Sequence, residues 1–133
     1  MVAPETGLLD AARAVRERAH APYSHFMVGA ALLDEQGRIH AGCNVENAAY
    51  PQGLCAEAGA LAQLVAAGGR QVKAVVVVGE GARLTTPCGG CRQKLREFAA
   101  DDTPVIVADV QQVRARFTLG ELLPHSFGPE HLT

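Results

Sequence analysis

Three thiols and one carboxylate, divided between two short segments, restrict what this chain can fold into more than any other feature. The segments are Cys55-Ala56-Glu57 and Thr86-Pro87-Cys88-Gly89-Gly90-Cys91-Arg92-Gln93. Cys88 and Cys91 stand three apart, so they meet on one face of a helical turn. Cys55 precedes Cys88 by 33 residues, an interval that reads as one helix, one strand and a loop. A crossover of that kind can bring two helix starts to the same edge of a sheet. Cys55 follows the Pro51-Gln52-Gly53 break and Cys88 follows Pro87, so each is expected to open a helix. Unpaired backbone N–H groups and the positive end of the helix dipole favour thiolate there.

Three thiolates that converge in this way suit one zinc ion. Three protein ligands leave a fourth tetrahedral position for water, and an open position marks a catalytic site rather than a structural one. A structural site would need a fourth ligand. The remaining cysteine, Cys43, lies in an expected strand and reads as a small buried apolar residue. A redox-active Cys-x-x-Cys pair would not require Cys55-Ala56-Glu57. Glu57, two residues past a ligand, is placed to exchange protons with metal-activated water, whose pKa zinc lowers to about 7. Read without its neighbours, Glu57 would be a solvated helix glutamate.

The bulk properties agree with a folded domain. The chain has 133 residues, 48% hydrophobic and 20% charged, enough to bury a core. One domain over 1–133 is expected. Twelve basic and fourteen acidic side chains give a net charge of −2. Nucleic-acid affinity comes largely from clustered Lys and Arg, so a polynucleotide partner is not expected. The longest apolar stretch, residues 74–78, is far shorter than the roughly 20 residues needed to cross a bilayer. With no basic-then-apolar leader, the cytoplasm is the expected compartment, and the cysteines are expected to be ligands rather than disulfides.

Along the chain, Leu8, Leu9, Ala12 and Val15 form the apolar stripe of a helix over 5–19, broken at Ala21-Pro22. Residues 26–33 and 38–43 read as a hairpin around Asp34-Glu35-Gln36-Gly37. A helix over 55–67 stops at Gly68-Gly69. A buried strand is expected at 72–78, a helix at 88–99, and strands at 104–108 and 114–119. The order α-β-β-α-β-α-β-β points to an α/β fold, a single mixed sheet covered by helices.

The chain resembles the cytidine deaminases of the small, homotetrameric, free-nucleoside type across nearly its whole length. The matching residues are Pro22-Tyr23-Ser24, the 26–32 run, Gly42-Cys43-Asn44-Val45-Glu46-Asn47-Ala48, both cysteine segments, Leu122-Leu123-Pro124 and Phe127-Gly128-Pro129. The cysteine segments carry the zinc-deaminase signature in its three-cysteine form, and Asn44-Val45-Glu46 marks the nucleoside branch. The resemblance implies a three-layer α/β/α sandwich with a mixed five-stranded sheet and one zinc ion per subunit. It implies hydrolytic deamination of cytidine and deoxycytidine to uridine and deoxyuridine, with release of ammonia. Cys55, Cys88 and Cys91 would bind the metal, and Glu57 would be catalytic. Asn44 and Glu46 would hold the ribose hydroxyls, Phe26 would pack on the pyrimidine, and the Ala56 N–H would meet a ring oxygen. Tyr50 and Phe127 would complete sites across subunit boundaries of a homotetramer. Read from the residues alone, Asn44-Val45-Glu46 is a turn and Phe26 is core.

Two other readings compete. One is a deaminase of a modified cytosine nucleoside, which activity confined to compounds lacking normal ribose hydroxyls would reveal. The other is a non-catalytic, zinc-stabilised interaction module, in which Glu57 would be expendable. The chain also departs from the family. Many relatives have arginine after the glutamate, offsetting the charge of three thiolates, whereas position 58 here is alanine. The two helix N-termini are expected to supply much of that compensation, with Arg92 as a further contributor.

Overall fold

The computed structural model describes residues 2–133, with side chains from Pro4 onward. Helix α1 (Val2–Arg16) leads into strands β1 (Gly29–Asp34) and β2 (Ile39–Cys43), followed by helix α2 (Ala56–Ala66) and strand β3 (Val72–Val78). Helix α3 (Gly89–Arg96), strands β4 (Pro104–Ala108) and β5 (Val113–Thr118), and a short helix α4 (Leu119–Leu122) complete the main elements. Single 3-10 turns lie at Tyr50–Gln52 and Pro129–His131.

The strands form one mixed five-stranded sheet in the order β2-β1-β3-β4-β5. Only β3 and β4 run parallel; every other pairing is antiparallel. Alternation along β1 separates two apolar layers. Ala30 and Leu32 join Ala60 and Leu64 of α2 and Leu95 of α3, whereas Ala31 and Leu33 join Leu8 and Ala12 of α1. The result is the expected three-layer α/β/α arrangement. Removing a Val or Leu side chain of this kind from water contributes about 1.5–3 kcal/mol, and β3 buries every residue but Lys73.

Register explains why the two cysteine segments meet. Gly29 of β1 pairs with Cys43, the last residue of β2, and with Val78, the last residue of β3. Both strands therefore end at the same edge, and α2 and α3 begin just beyond it. Two glycines permit the close packing above the hairpin. A Cβ on Gly29 would strike the Ala12 carbonyl of α1, and one on Gly42 would come within 2.7 Å of the Ala56 carbonyl of α2.

Some boundaries differ from the sequence reading. Helix α1 stops at Arg16 instead of residue 19. Glu17, Arg18 and Ala19 make tighter bonds three residues back, and His20 turns away to donate to the Asn44 carbonyl. The strand expected from residue 26 begins at Gly29, because Phe26 and Val28 engage the Asn44 side chain instead of a ladder. Helix α3 ends at Arg96 rather than residue 99, where the Phe98 carbonyl is taken by Val72 N–H.

Candidate metal centre and active site

Cys55 and Cys88 occupy the N-cap positions of α2 and α3, and Cys91 lies in the first turn of α3. The three sulfurs lie within 4.8 Å of one another, with Cys55 Sγ and Cys88 Sγ 3.8 Å apart. No described residue adds a fourth Cys, His, Asp or Glu ligand atom to this group, and Cys43 is a half-buried free cysteine outside it. Three soft donors at mutual contact, with no fourth, fit a single zinc ion with one position open.

The thiols are poised unequally. Burial pushes Cys55 up, reinforced by the Cys88 thiol, and burial together with the charges of Glu57 and the other two cysteines pushes Cys91 up further. At Cys88 burial acts in the same upward sense, but the Cys91 backbone N–H and the two neighbouring thiols outweigh it and hold the pKa low. A bound cation is what would draw the protons from Cys55 and Cys91.

Glu57, in the first turn of α2, is 5% exposed. Burial raises the pKa of its carboxyl, while its own backbone N–H and the charge of Lys94 act against the rise. A carboxyl held above its ordinary value keeps a proton more readily than an exposed glutamate, which suits a group that must carry one and give it back.

A cleft of about 340 Å³ opens at the cluster. Its walls include Phe26, Asn44, Glu46, Ala56 and Glu57 together with Cys55 and Cys88. Asn44 is fixed by the backbone: its Nδ2 donates to the Phe26 carbonyl (2.8 Å) and its Oδ1 accepts from Val28 N–H (2.9 Å). One amide proton and one lone pair remain. Glu46 Oε1 accepts from the N–H groups of Tyr23 and Ser24, and its Oε2 accepts a short bond from the Ser24 hydroxyl. The Ser24 hydroxyl is the main influence that keeps the Glu46 carboxyl below the ordinary glutamate range.

The segment Asn44-Val45-Glu46 is not the turn its residues alone suggest. It is extended, bridged by Val45 to His20 on one side and to Leu54 on the other. Phe26 is likewise not core; it is 42% exposed in the cleft wall. The Ala56 N–H begins α2 and has no partner within its helix.

Tyr50 and Phe127 lie outside this cleft. Tyr50 is 74% exposed, its ring 5.7 Å from that of Tyr23, and it borders a neighbouring cavity of about 370 Å³ that shares Ser24 and Glu46 with the cleft. Phe127 is 56% exposed, stacked on His131, with its carbonyl accepting from Gln93 Nε2. Sequence reading passed over Thr85 and Thr86, which also line the cleft, and Ser24 as the residue that holds Glu46. Hydroxyl side chains in loops carry no spacing signal, and these become visible only through their partners. Arg92 donates to the carbonyls of Pro87 (2.6 Å) and Leu122 (2.7 Å) and to the Thr86 hydroxyl, tethering the loop that delivers Cys88.

Comparison with known proteins agrees with this geometry. Residues 4–107 match the profile of the family described as the cytidine and deoxycytidylate deaminase zinc-binding region. A cytidine deaminase of Sporosarcina psychrophila is 41% identical over 126 residues, covering 95% of this chain and 93% of the relative. One from Mycobacterium tuberculosis is 42% identical over 114 residues, covering 86% and 82%. The crystal structure of a cytidine deaminase from Burkholderia pseudomallei is similar with a TM-score of 0.85 and 45% identity, over 92% of this chain and 98% of that one. Converging thiols, a buried carboxylate beside them and these likenesses over most of the length lead to one assignment: the chain belongs to the cytidine and deoxycytidylate deaminase zinc-binding family.

Proposed function

We propose that this protein catalyses the hydrolytic deamination of cytidine and deoxycytidine to uridine and deoxyuridine, with release of ammonia. The observation that carries the reading is the buried Glu57 carboxyl opening onto the same cleft as a three-sulfur group with no fourth ligand among the described residues. A zinc ion held by Cys55, Cys88 and Cys91 supplies the Lewis acidity that brings the ionisation of water close to neutral pH. Glu57 takes one proton from the attacking water and passes it to the ring nitrogen next to the amino-bearing carbon. It then takes the second proton from the hydroxyl so added and passes it to the departing amine. The exocyclic C–N bond breaks as the carbonyl forms, and ammonia leaves. Proton transfers by a positioned carboxylate contribute about 10²–10⁴ in rate.

The other residues hold the nucleoside. Phe26 packs against the pyrimidine face, and the Ala56 N–H, at the positive end of α2, donates to the ring oxygen. Asn44 and Glu46 take the ribose hydroxyls with the hydrogen-bonding capacity their backbone partners leave free. Residues 1–133 work as one domain, and the three thiols, which must stay reduced to bind metal, suit the cytoplasm. The exposed rings of Tyr50 and Phe127 support a homotetramer in which neighbouring subunits complete each cleft.

Purified protein tests the proposal directly. Cytidine absorbance should fall with equimolar ammonia release, stop after chelation, and resume on adding zinc. Zinc-loaded protein that leaves cytidine and deoxycytidine untouched would overturn it.

A further inference from the structure

The loop that joins β3 to α3, residues 79–88, delivers Cys88 to the three-sulfur group and lines the cleft with Thr85 and Thr86. A solvent-facing loop of this kind opens readily unless something ties it down. Two guanidiniums do so here, one for each half. Arg92 holds the second half at Pro87 and Thr86. Arg114, on β5, holds the first. Its Nη1 donates to the Gly81 carbonyl (2.7 Å) and its Nη2 to the Ala82 carbonyl (2.8 Å), with a longer bond from Nη1 to the Arg83 carbonyl (3.5 Å). The rigid fork of an arginine suits acceptors set side by side in this way.

Other contacts make the first half a closed unit. A Cβ on Gly79 would stand 2.5 Å from Thr85 Oγ1, so the two ends of the 79–85 stretch touch. Glu80 Oε1 accepts from the Val110 N–H (3.2 Å), which fastens the same stretch to the turn between β4 and β5. Residues 80–85 and Phe26 together line a cavity of about 420 Å³, and Phe26 and Thr85 also line the cleft beside the sulfurs. The stretch gripped by Arg114 is therefore the wall that meets Phe26 at the cleft.

We propose that Arg114 is a positioning residue for substrate binding: its grip on the Gly81 and Ala82 carbonyls fixes the 79–85 wall, Thr85 included, beside Phe26, and keeps that side of the cleft formed before the nucleoside arrives. This rests on the deaminase reading above, in which Phe26 packs on the pyrimidine. Without the grip the wall is in place in only a fraction of molecules, and apparent affinity falls by that fraction. Losing these hydrogen bonds should raise KM about three- to tenfold. The chemical step should be spared, because Arg92 separately secures Thr86 and Pro87 ahead of Cys88, and Glu57 stands on α2.

The experiment compares the natural zinc-loaded chain with Arg114→Gln and with a control, Arg70→Gln. The Arg70 guanidinium likewise donates to two backbone carbonyls, those of Val65 and Gly69, but at the opposite end of α2 from Cys55. Two properties are measured: steady-state deamination of cytidine, and the rate at which trypsin cuts after Arg83, inside the gripped stretch. Arg114→Gln should raise KM while kcat stays within about twofold of the natural value, keep the natural zinc content, and be cut faster after Arg83. The control should match the natural chain. An unchanged KM, or unchanged cleavage after Arg83, would overturn the role of Arg114. So would a loss of zinc or a parallel fall in kcat, since either would mark general damage rather than a displaced wall. A natural zinc-loaded chain that leaves cytidine untouched would overturn the deaminase reading instead, and trypsin would still decide whether Arg114 holds the loop.

Discussion

Glu57 combines burial with access to the cleft, a combination that a helix-surface glutamate lacks and that supports the catalytic role proposed for it. Glu57→Gln keeps the shape and removes the proton-carrying oxygen. Turnover should fall by about 10²–10⁴ while zinc content, measured by atomic absorption, stays at the natural level. Unchanged turnover would remove Glu57 from the chemistry, whereas a natural zinc-loaded chain with no turnover at all would favour a zinc-stabilised module. At this scale the cysteines and Glu57 were legible because ligand spacing is a local signal. Phe26 and Asn44-Val45-Glu46 were not legible from their own chemistry. Asn44 looks like a turn residue until its amide is seen spanning Phe26 and Val28, and Val45 is extended because His20 and Leu54 flank it. Those partners lie far off in sequence, so only the family resemblance pointed to these residues as part of the cleft. Ser24 illustrates the limit, since its hold on Glu46 crosses 22 residues.

Between elements, the decisive contact is α2 against β2. Gly42 lies under the first turns of α2, where a methyl group would meet the Ala60 N–H and the Ala56 carbonyl. The obstructing atoms are backbone, so the helix itself would have to move. Gly42→Ala should destabilise the fold by about 1–3 kcal/mol, the range for overpacking a filled core, read as a lower urea midpoint. Because α2 carries Cys55 and Glu57, the same variant should also bind zinc more weakly. Retention of both properties would show that α2 is held elsewhere. Strands β3 and β4 emerged from the sequence with their ends intact, since a run such as residues 72–78, apolar and rich in valine but for Lys73, has the character of a strand buried on both faces. Helix α4 went unread, although Thr118 and Glu121 close a capping box around its start. That pattern is a sequence signature in its own right. The glycine contacts that set helix height above the sheet leave no periodic trace.

Across the whole molecule, stability should depend on pH through two separate groups. Asp34, fully buried at the end of β1, is opposed by its own burial. It is nonetheless held well below the ordinary carboxylate range by His40, the N–H groups of Arg38 and Gln36, and the Arg38 guanidinium. A depressed native pKa means its stabilisation is full above the unfolded value of about 3.9 and is lost as pH falls below it toward the native value. Asp34→Asn should therefore flatten the acid limb of a melting-temperature profile; an unaltered limb would assign acid unfolding to other carboxylates. The metal site acts at higher pH. Zinc bound across the starts of α2 and α3 stabilises the native state by about 4 kcal/mol when free zinc exceeds its Kd a thousandfold. Burial holds the Cys55 and Cys91 thiols protonated, so loading the site releases protons and protons compete with zinc. The native, metal-bound thiolates thus contribute most at high pH and progressively less as acid is added. The gap in melting temperature between zinc-loaded and chelated protein should be widest near pH 8 and narrow toward pH 6, in contrast to the Asp34 effect, which begins only below about pH 4. A gap of constant width would mean that these sulfurs are not where the ion sits, and no gap at all would remove the metal from the fold's stability.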